Sequence, residues 1–511
     1  MEHTYIGAID QGTTGTRFMV FDHDGRVVAS AYDRHEQRYP EPGWVEHDPV
    51  EIWNTVERIV PRALASGSID PDQLAALGVA NQRETTVVWD ADTGTPVYNA
   101  IGWQDRRTTD RIESLDADQV ESIRARTGLE ADAYFSATKA EWLLDNADPI
   151  KLSRTRPQDV RDRAEAGELL FGTLDSWLIY NLTGAHVTDV TNAARTMLYD
   201  IHEMQWDDDL LAEFDVPRSM LPEVRPSSAE TPYGYTDPEG FLGAEVPVTG
   251  ALGDQQAALF GQTCFEPGEA KNTYGTGSFY LMNTGTEPVE SDHGLLTTVA
   301  FQLSGEPVQY ALEGSIFVTG AAIEWLASIG FVDDPMETAQ LARSVDSSQG
   351  VYVVPAFSGL GAPHWDGRAR GTIVGMTLAT RREHVVRATL ESIAHRTRDV
   401  AEAMEADAGV EASTLRVDGG AVRNDFLCQL QADVLQRGLV RPQVDETTAL
   451  GAAYAAGLGV GYWDSVDELR SHWQVDREFE PEMDREEADR LYRRWGDAVE
   501  RARDWAGDGE A

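Results

Sequence analysis

Residues 4–22 read TYIGAIDQGTTGTRFMVFD, in which two apolar runs flank the small-residue turn QGTTG at residues 11–15. The runs TYIGAID and TRFMVFD have the length and the β-branched and aromatic content of strands. Small residues in the turn let backbone N–H groups approach a bound anion closely. The stretch therefore predicts a β-hairpin that faces a ligand, with a turn that is neither a Walker A loop nor a GxGxxG turn.

Residues 245–262, EVPVTGALGDQQAALFGQ, repeat this theme, because an apolar strand again runs into small residues that carry an aspartate. Asp10 holds that place in the first copy and Asp254 in the second. Elsewhere, strand-like runs alternate with helical patterns, most clearly at 49–65 and 382–406. A chain of 511 residues is too long for one hydrophobic core. We therefore predict an α/β protein of two similarly built domains, residues 1–250 and 251–511.

The charge balance is strongly acidic, with 87 acidic and 42 basic residues and a formal net charge of -45. A field of this sign repels nucleic acid and anionic membranes, so neither is an expected partner. Only three basic residues are lysines, Lys139, Lys151 and Lys271, a composition typical of proteins from salt-accumulating halophiles. The chain starts without a secretion signal, and no apolar run reaches membrane-spanning length. We expect a cytoplasmic protein with no membrane insertion.

Three small-residue loops are candidates for binding phosphate. In the first, Thr13, Thr14 and Gly15 offer hydroxyl and backbone donors, Arg17 supplies charge, and Asp10 at the strand end suits Mg²⁺. The second is YGTGS at residues 274–278, and the third is DGG at residues 418–420, which precedes Asn424. Any one of them is equally consistent with an ordinary glycine turn. Three such loops over both halves indicate a nucleotide bound in a cleft.

These motifs resemble those of the FGGY family of carbohydrate kinases, over nearly the whole chain. The matching stretches include PGWVEHDP, NQRETTVVW, GDQQAALFGQ, KNTYGTGSF and LRVDGGAVRNDFL, and the two family signatures fall on Tyr134–Asn146 and Gly371–Glu391. The resemblance implies a pair of actin-like, ribonuclease H-like domains with an ATP cleft between them, and ATP and Mg²⁺ as cofactors. GDQQAALFGQ together with NQRET resembles the members that phosphorylate glycerol, to sn-glycerol 3-phosphate, rather than ketoses or aldonates.

The resemblance also implies a role for each matching site residue. Asp254 matches the catalytic base, which accepts a proton from the attacking hydroxyl, and Asp10 matches the Mg²⁺ position. Carboxylates and arginine suit the hydroxyl edge of a polyol, and aromatic rings suit its C–H edge. The implied glycerol-binding residues are Arg83, Glu84, Trp103, Tyr134, Asp254, Gln255 and Phe279. The implied nucleotide-binding residues are Thr13, Thr14, Gly15, Arg17, Thr276, Gly320, Gly420 and Asn424.

Two other functions fit the same motifs. Another sugar kinase of the family, for a substrate such as a ketopentose, would need a wider pocket than Trp103 and Phe279 suggest. A non-catalytic ATP-binding module would have no need of both Asp10 and Asp254. The resemblance further implies a homo-oligomer, a dimer or a tetramer. Glu245 replaces the arginine with which bacterial relatives bind fructose 1,6-bisphosphate, so we expect no such inhibition.

Overall fold

The computed structural model describes residues 4–147, 160–410, 412 and 414–507. Two large mixed β-sheets form its centre; the elements around the first sheet make the first lobe, and those around the second make the second lobe. In spatial order, the first sheet contains Gly234–Tyr235, Pro247–Gly253, Leu74–Asn81, Tyr5–Gln11, Gly15–Phe21 and Val27–Arg34. The second contains Leu296–Phe301, Gln309–Ile316, Ser278–Gly285, Ala270–Tyr274, Thr414–Asp418, Gly438–Pro442 and Val475–Phe479.

The two sheets share one topology. Strand Tyr5–Gln11 pairs antiparallel with the next strand of its hairpin and parallel with Leu74–Asn81. Strand Ala270–Tyr274 likewise pairs antiparallel with the next strand and parallel with Thr414–Asp418. Without the edge strands, both sheets follow the order 3-2-1-4-5 when strands are counted within each half. The predicted α/β fold with two similarly built halves is confirmed, while the boundary at residue 250 stays a prediction.

Smaller sheets and helices surround these centres. A five-stranded sheet contains Gln37–Arg38, Glu46–His47, Ala100–Ile101, Thr86–Asp90 and Leu169–Thr173. Strand pairs are Val187–Asp189 with Glu223–Arg225, Tyr199–Asp200 with Gln205–Trp206, and Tyr352–Val354 with Thr372–Val374. The α-helices are Pro49–Gly67, Thr109–Glu113, Ala117–Thr127, Ser136–Asn146, Val160–Glu165, Leu174–Thr183, Val190–Ala193, Asp208–Glu213, Asp254–Gly261, Gly320–Ser328, Thr338–Arg343, Arg382–Ala408, Asp425–Leu435, Thr447–Gly459, Val466–His472 and Arg485–Ala502. No helix within the described ranges combines the length and the apolar character that a bilayer span requires.

The helix Pro49–Gly67 shows how local sequence sets these boundaries. Asp48 caps its start, accepting hydrogen bonds from the backbone N–H groups of Val50 and Glu51, and Pro49 occupies the first turn, where a missing N–H costs nothing. Its apolar positions recur at helical spacing and are buried against the first sheet. The helix predicted from residue 49 is confirmed.

The helix Thr447–Gly459, from the second half of the chain, packs closely against the first lobe. It lies against strands Leu74–Asn81 and Pro247–Gly253 of the first sheet and against helix Asp254–Gly261. A Cβ atom on Gly451 would lie only 1.8 Å from the carbonyl oxygen of Ala257, so no side chain fits there. The small-residue run TALGAAYAAGLG is therefore a packing surface, as its composition indicates.

Candidate active site

The first predicted loop is a tight hairpin turn at the end of two central strands. The backbone N–H of Gly12 donates to the carbonyl of Gly15 at 3.0 Å, which closes the turn. Thr14 is exposed, whereas Thr13 is half-buried and its hydroxyl accepts a 3.0 Å hydrogen bond from Nε1 of Trp103. Arg17 forms an ion pair with Glu446, the residue that precedes helix Thr447–Gly459. The loop therefore borders both the aromatic residues and a segment from the second half of the chain.

The second and third loops meet in one large cavity. Its volume is about 730 Å³, and four of the predicted nucleotide-binding residues line it: Thr276, Gly320, Gly420 and Asn424. Gly419 has φ = +92°, and a Cβ there would lie 2.4 Å from the carbonyl oxygen of Tyr274, so the DGG turn requires glycine at its centre. Asn424 caps helix Asp425–Leu435 through its side-chain oxygen, so its role in the fold is structural as well.

A second, smaller cavity of about 330 Å³ has aromatic walls. Trp103, Tyr134 and Phe279 line it, and Trp103 stands edge-on to the other two rings at centroid distances of 5.7 and 6.5 Å. Thr276 lines this cavity and the larger one, so the two are neighbours. Three of the seven residues predicted to bind a polyol thus surround one narrow space.

Beside the aromatic cavity lies a buried network of alternating charges. The Arg83 guanidinium stacks over the ring of Phe279 and donates two hydrogen bonds to the carboxylate of Glu313, of 2.5 and 2.9 Å. Arg195 donates to Glu84 at 2.6 Å and to Glu313 at 3.1 Å. All four of these charged side chains are at most 2% exposed. We call these residues, Arg83, Glu84, Arg195 and Glu313, the arginine–carboxylate network.

Asp254 lies at the edge of this network. It is the first residue of helix Asp254–Gly261, its Oδ1 is 3.4 Å from Nε of Arg83, and its side chain is 26% exposed. Enclosure by the surrounding protein raises the pKa of Asp254 despite the charge of Arg83. Glu313 shows the opposite balance: burial would raise its pKa, but Arg195 and Arg83 lower it to about 2. Glu313 is therefore held as an anion by the two arginines, whereas burial makes the carboxylate of Asp254 more basic than an ordinary aspartate.

Two of the three lysines are buried under the site; the third, Lys151, lies outside the described residues. Lys271 donates a 2.6 Å hydrogen bond to Oε1 of Gln255, which fixes the orientation of this predicted glycerol-binding side chain. Lys139 donates to the backbone carbonyls of Tyr134, at 2.6 Å, and of Glu84, at 3.4 Å. Burial lowers the pKa of Lys139 to about 7 and that of Lys271 to about 8. Both lysines therefore hold residues of the predicted polyol site in place through buried hydrogen bonds.

Asp10 stands at the end of its strand, near the first loop. Burial raises its pKa to about 7; Arg17 opposes the rise, and the carboxylates of Glu446 and Asp254 add to it. Asp10 thus lies in a buried, acidic environment to which Glu446 and Asp254 contribute. A carboxylate in such a place offers the oxygen ligand that a divalent cation prefers.

Sequence reasoning missed Arg195, Glu313, Lys139 and Lys271. Glu313 lies in the apolar strand YALEGSI, and a single charge inside such a strand is a signal that a buried partner exists. Nothing in the sequence shows that the partners are Arg83 and Arg195. The partner of Arg17, Glu446, was not predicted either.

Both halves of the chain match family models of one enzyme family. The model described as "FGGY family of carbohydrate kinases, N-terminal domain" matches residues 5–261, and the corresponding C-terminal domain model matches residues 270–460. The chain belongs to the FGGY family of carbohydrate kinases, as its motifs predicted.

Individual relatives narrow the likeness further. The chain is 71% identical over 507 residues to the glycerol kinase of Haloarcula marismortui, which covers 99% of each chain. It is 57% identical over 505 residues to the glycerol kinase of Petrotoga mobilis, covering 98% of this chain and 99% of the relative. A crystal structure of Plasmodium falciparum glycerol kinase with ADP superposes with a TM-score of 0.90 at 37% identity, over 98% of both chains. A gluconate kinase of Lactobacillus acidophilus, at 21% identity and a TM-score of 0.85 over 97% of both chains, shares the fold.

Proposed function

We propose that this protein transfers the γ-phosphoryl group of ATP to a terminal hydroxyl of glycerol, giving sn-glycerol 3-phosphate and ADP. The observation that carries the proposal is the position of Asp254. This carboxylate, which is 26% exposed, lies beside Arg83, whose guanidinium stacks over Phe279 in the wall of the aromatic cavity. That cavity adjoins the larger one through Thr276. A small polyol and a nucleotide bound in these neighbouring cavities would bring a hydroxyl and a phosphate together.

The chemistry follows from the charges. Asp254 accepts the proton of the attacking hydroxyl, and its raised pKa makes it a stronger base than an ordinary aspartate. Arg83 and Glu84 form hydrogen bonds with the polyol hydroxyls. Glu313 fixes the side chain of Arg83 and Arg195 fixes that of Glu84, so these side chains need little rearrangement when the substrate binds. Trp103 and Phe279 cover the C–H edge of the polyol and exclude larger sugars.

The residues near the phosphates have complementary roles. Thr13, Thr14, Gly15 and Thr276 offer hydroxyl and backbone donors from the two lobes. Arg17, once it leaves Glu446, stabilises negative charge on the transferred group. Asp10 would provide the hard oxygen donor that Mg²⁺ prefers, and a bound cation would favour the charged form of this buried carboxylate, whose pKa burial raises. When bound, Mg²⁺ would neutralise charge on the phosphate oxygens.

Formation of ADP in a coupled assay tests the activity, with glycerol compared against a ketopentose and gluconate in molar KCl. We expect turnover with glycerol and little with the sugars. Turnover of a ketopentose would favour the other sugar kinases of the family, and no turnover with any acceptor, with ATP still bound, would favour a non-catalytic module.

Asp254→Asn tests the mechanism. The amide keeps the size of the side chain and cannot take a proton, so kcat should fall about a hundredfold or more while ATP binding survives. Asp118→Asn, on the exposed face of helix Ala117–Thr127, is the matched control for the loss of one negative charge. A near-normal kcat in Asp254→Asn would assign the base elsewhere.

A further inference from the structure

Two histidines and a glutamate converge outside the cleft, where the first and last parts of the chain meet. His23 follows strand Gly15–Phe21 at the tip of its hairpin with Val27–Arg34. Glu468 and His472 lie one turn apart on helix Val466–His472. One ligand atom from each of the three side chains lies within 4.8 Å of the other two. These residues have no part in the proposed phosphoryl transfer.

The distances between these atoms are close to those of a metal site. Nε2 of His23 is 3.8 Å, and Nε2 of His472 is 3.7 Å, from the same oxygen, Oε1 of Glu468. Nitrogen and oxygen ligands lie about 2.0–2.2 Å from Zn²⁺, so tetrahedral ligands are separated by about 3.4 Å. Shifts of a few tenths of an ångström would therefore bring each imidazole nitrogen to that separation from the shared carboxylate oxygen, and the two nitrogens, which lie within 4.8 Å of each other, close on the ion by rotation of the exposed His23 side chain.

His472 gives an independent indication of a ligand. Its Nε2 is buried and has no hydrogen-bond partner among the residues that the structure describes. A buried polar nitrogen without a partner destabilises the folded state, and a metal ion would satisfy it. The neighbouring ligand is already oriented, since Oε2 of Glu468 accepts a 2.7 Å hydrogen bond from the backbone of Asp464. His23 has the carbonyl oxygen of Tyr462 2.9 Å from its Nε2, a hydrogen bond that metal binding would replace.

We propose that His23, Glu468 and His472 bind one Zn²⁺ or a chemically similar transition-metal ion. Two imidazoles and a single carboxylate favour zinc, cobalt or nickel over Mg²⁺ and Ca²⁺, which prefer oxygen ligands. The formal net charge of -45 raises the cation concentration near the surface. The ion would link the first hairpin to the segment that leads into strand Val475–Phe479 of the second sheet. The hydrogen bond from Nε1 of Trp463 to the carbonyl of His23 already connects the same two parts of the chain.

Metal titration of the full-length protein tests the site. Protein stripped with a chelator is saturated with Mg²⁺, which occupies oxygen-rich sites, and titrated with Co²⁺, whose visible bands become intense in four-coordinate histidine sites. We expect one tightly bound Co²⁺ per chain, displaced by Zn²⁺, and a melting temperature that rises with Zn²⁺. Absence of saturable binding in the wild type would overturn the proposal.

Variants locate the ion. His472→Gln and His23→Gln each remove one ligand, and each should weaken Co²⁺ binding by about a hundredfold or more, because changes in residues behind the ligands alone cost about 10–100-fold. Both should also abolish the zinc-dependent rise in melting temperature. His202→Gln is the control, an exposed histidine whose ring nitrogen Nε2 bonds the carbonyl of Ala125. The His23 side chain is 55% exposed, so the His23→Gln variant should fold normally. Wild-type Co²⁺ affinity in both variants would place the ion elsewhere.

Discussion

Replacing Glu313 by glutamine tests the arginine–carboxylate network directly. Glu313 is fully buried and accepts three charge-assisted hydrogen bonds, two from Arg83 and one from Arg195. Glutamine keeps the shape of the side chain but removes its charge. Its NH₂ group also replaces one acceptor with a donor that points at a guanidinium. The variant leaves two buried arginines with weakened compensation, so we expect a large loss of stability.

The magnitude follows from the pKa of Glu313. A pKa lowered from 4.5 to about 2 corresponds to about 3 kcal/mol of interaction that favours the charged form. Breaking a buried ion pair by removing one partner costs about 3–5 kcal/mol in other proteins, which agrees. Because the fold lowers this pKa, the contribution is complete above about pH 4.5 and is lost as the pH falls towards 2. At pH 7 the variant should therefore lose about 3 kcal/mol of unfolding free energy.

Urea unfolding at pH 7 and constant molar KCl measures this loss, since urea leaves the ionic strength unchanged. Glu223→Gln serves as control: its carboxylate pairs with Arg225 but is 63% exposed, so its removal should change little. The apparent KM for glycerol should also rise in Glu313→Gln, because Arg83 is no longer held in place. An unfolding free energy equal to that of the control variant would refute the reasoning.

Three further outcomes are expected. Trp103→Ala and Phe279→Ala should raise the apparent KM for glycerol and leave that for ATP nearly unchanged, as their rings line only the smaller cavity; equal losses for both substrates would give the rings a general role in the cleft. Fructose 1,6-bisphosphate at millimolar concentration should not inhibit, because exposed Glu245 repels it; saturable, salt-sensitive inhibition in the coupled assay would contradict this. Melting temperature and initial rate should rise with KCl concentration. The electrostatic screening length shortens from roughly 30 Å at 0.01 M salt to about 3 Å at 1 M, which relieves the repulsion within a chain of net charge -45. A melting temperature that stays flat or falls would argue against halophilic adaptation.

The features predicted from the sequence are those that local pattern determines. The hairpin around residues 11–15, Asp254 after a strand and the helix from residue 49 each depend on neighbouring residues, and the structure has all three. Thr276 and Gly420 were identified from their loops, and both line the larger cavity. The roles assigned to these residues, and the oligomeric state, stay predictions.

The charge partners could not be predicted, because they depend on distant segments packing together. Arg83 and Glu313 are 230 residues apart, and the Arg17–Glu446 pair is wider still. The apolar strand around Glu313 indicates that this charge has a buried partner, but nothing near it in sequence identifies Arg83 or Arg195 as that partner. The composition shows that lysine is rare, but not that two of the lysines lie beneath the site.

Glu313 also constrains the order in which the protein can mature. It belongs to the second sheet, whereas Arg83 and Arg195 belong to the first part of the chain. On the ribosome, the first lobe emerges with both guanidiniums lacking this acceptor until residue 313 follows. The same argument applies to a gene divided between the lobes: the second fragment would bury Glu313 without either arginine, and the first would retain only the contacts of Arg83 and Arg195 with Glu84. Reassembly from two co-expressed fragments, rather than independent folding of each, is the behaviour that such a shared interior imposes.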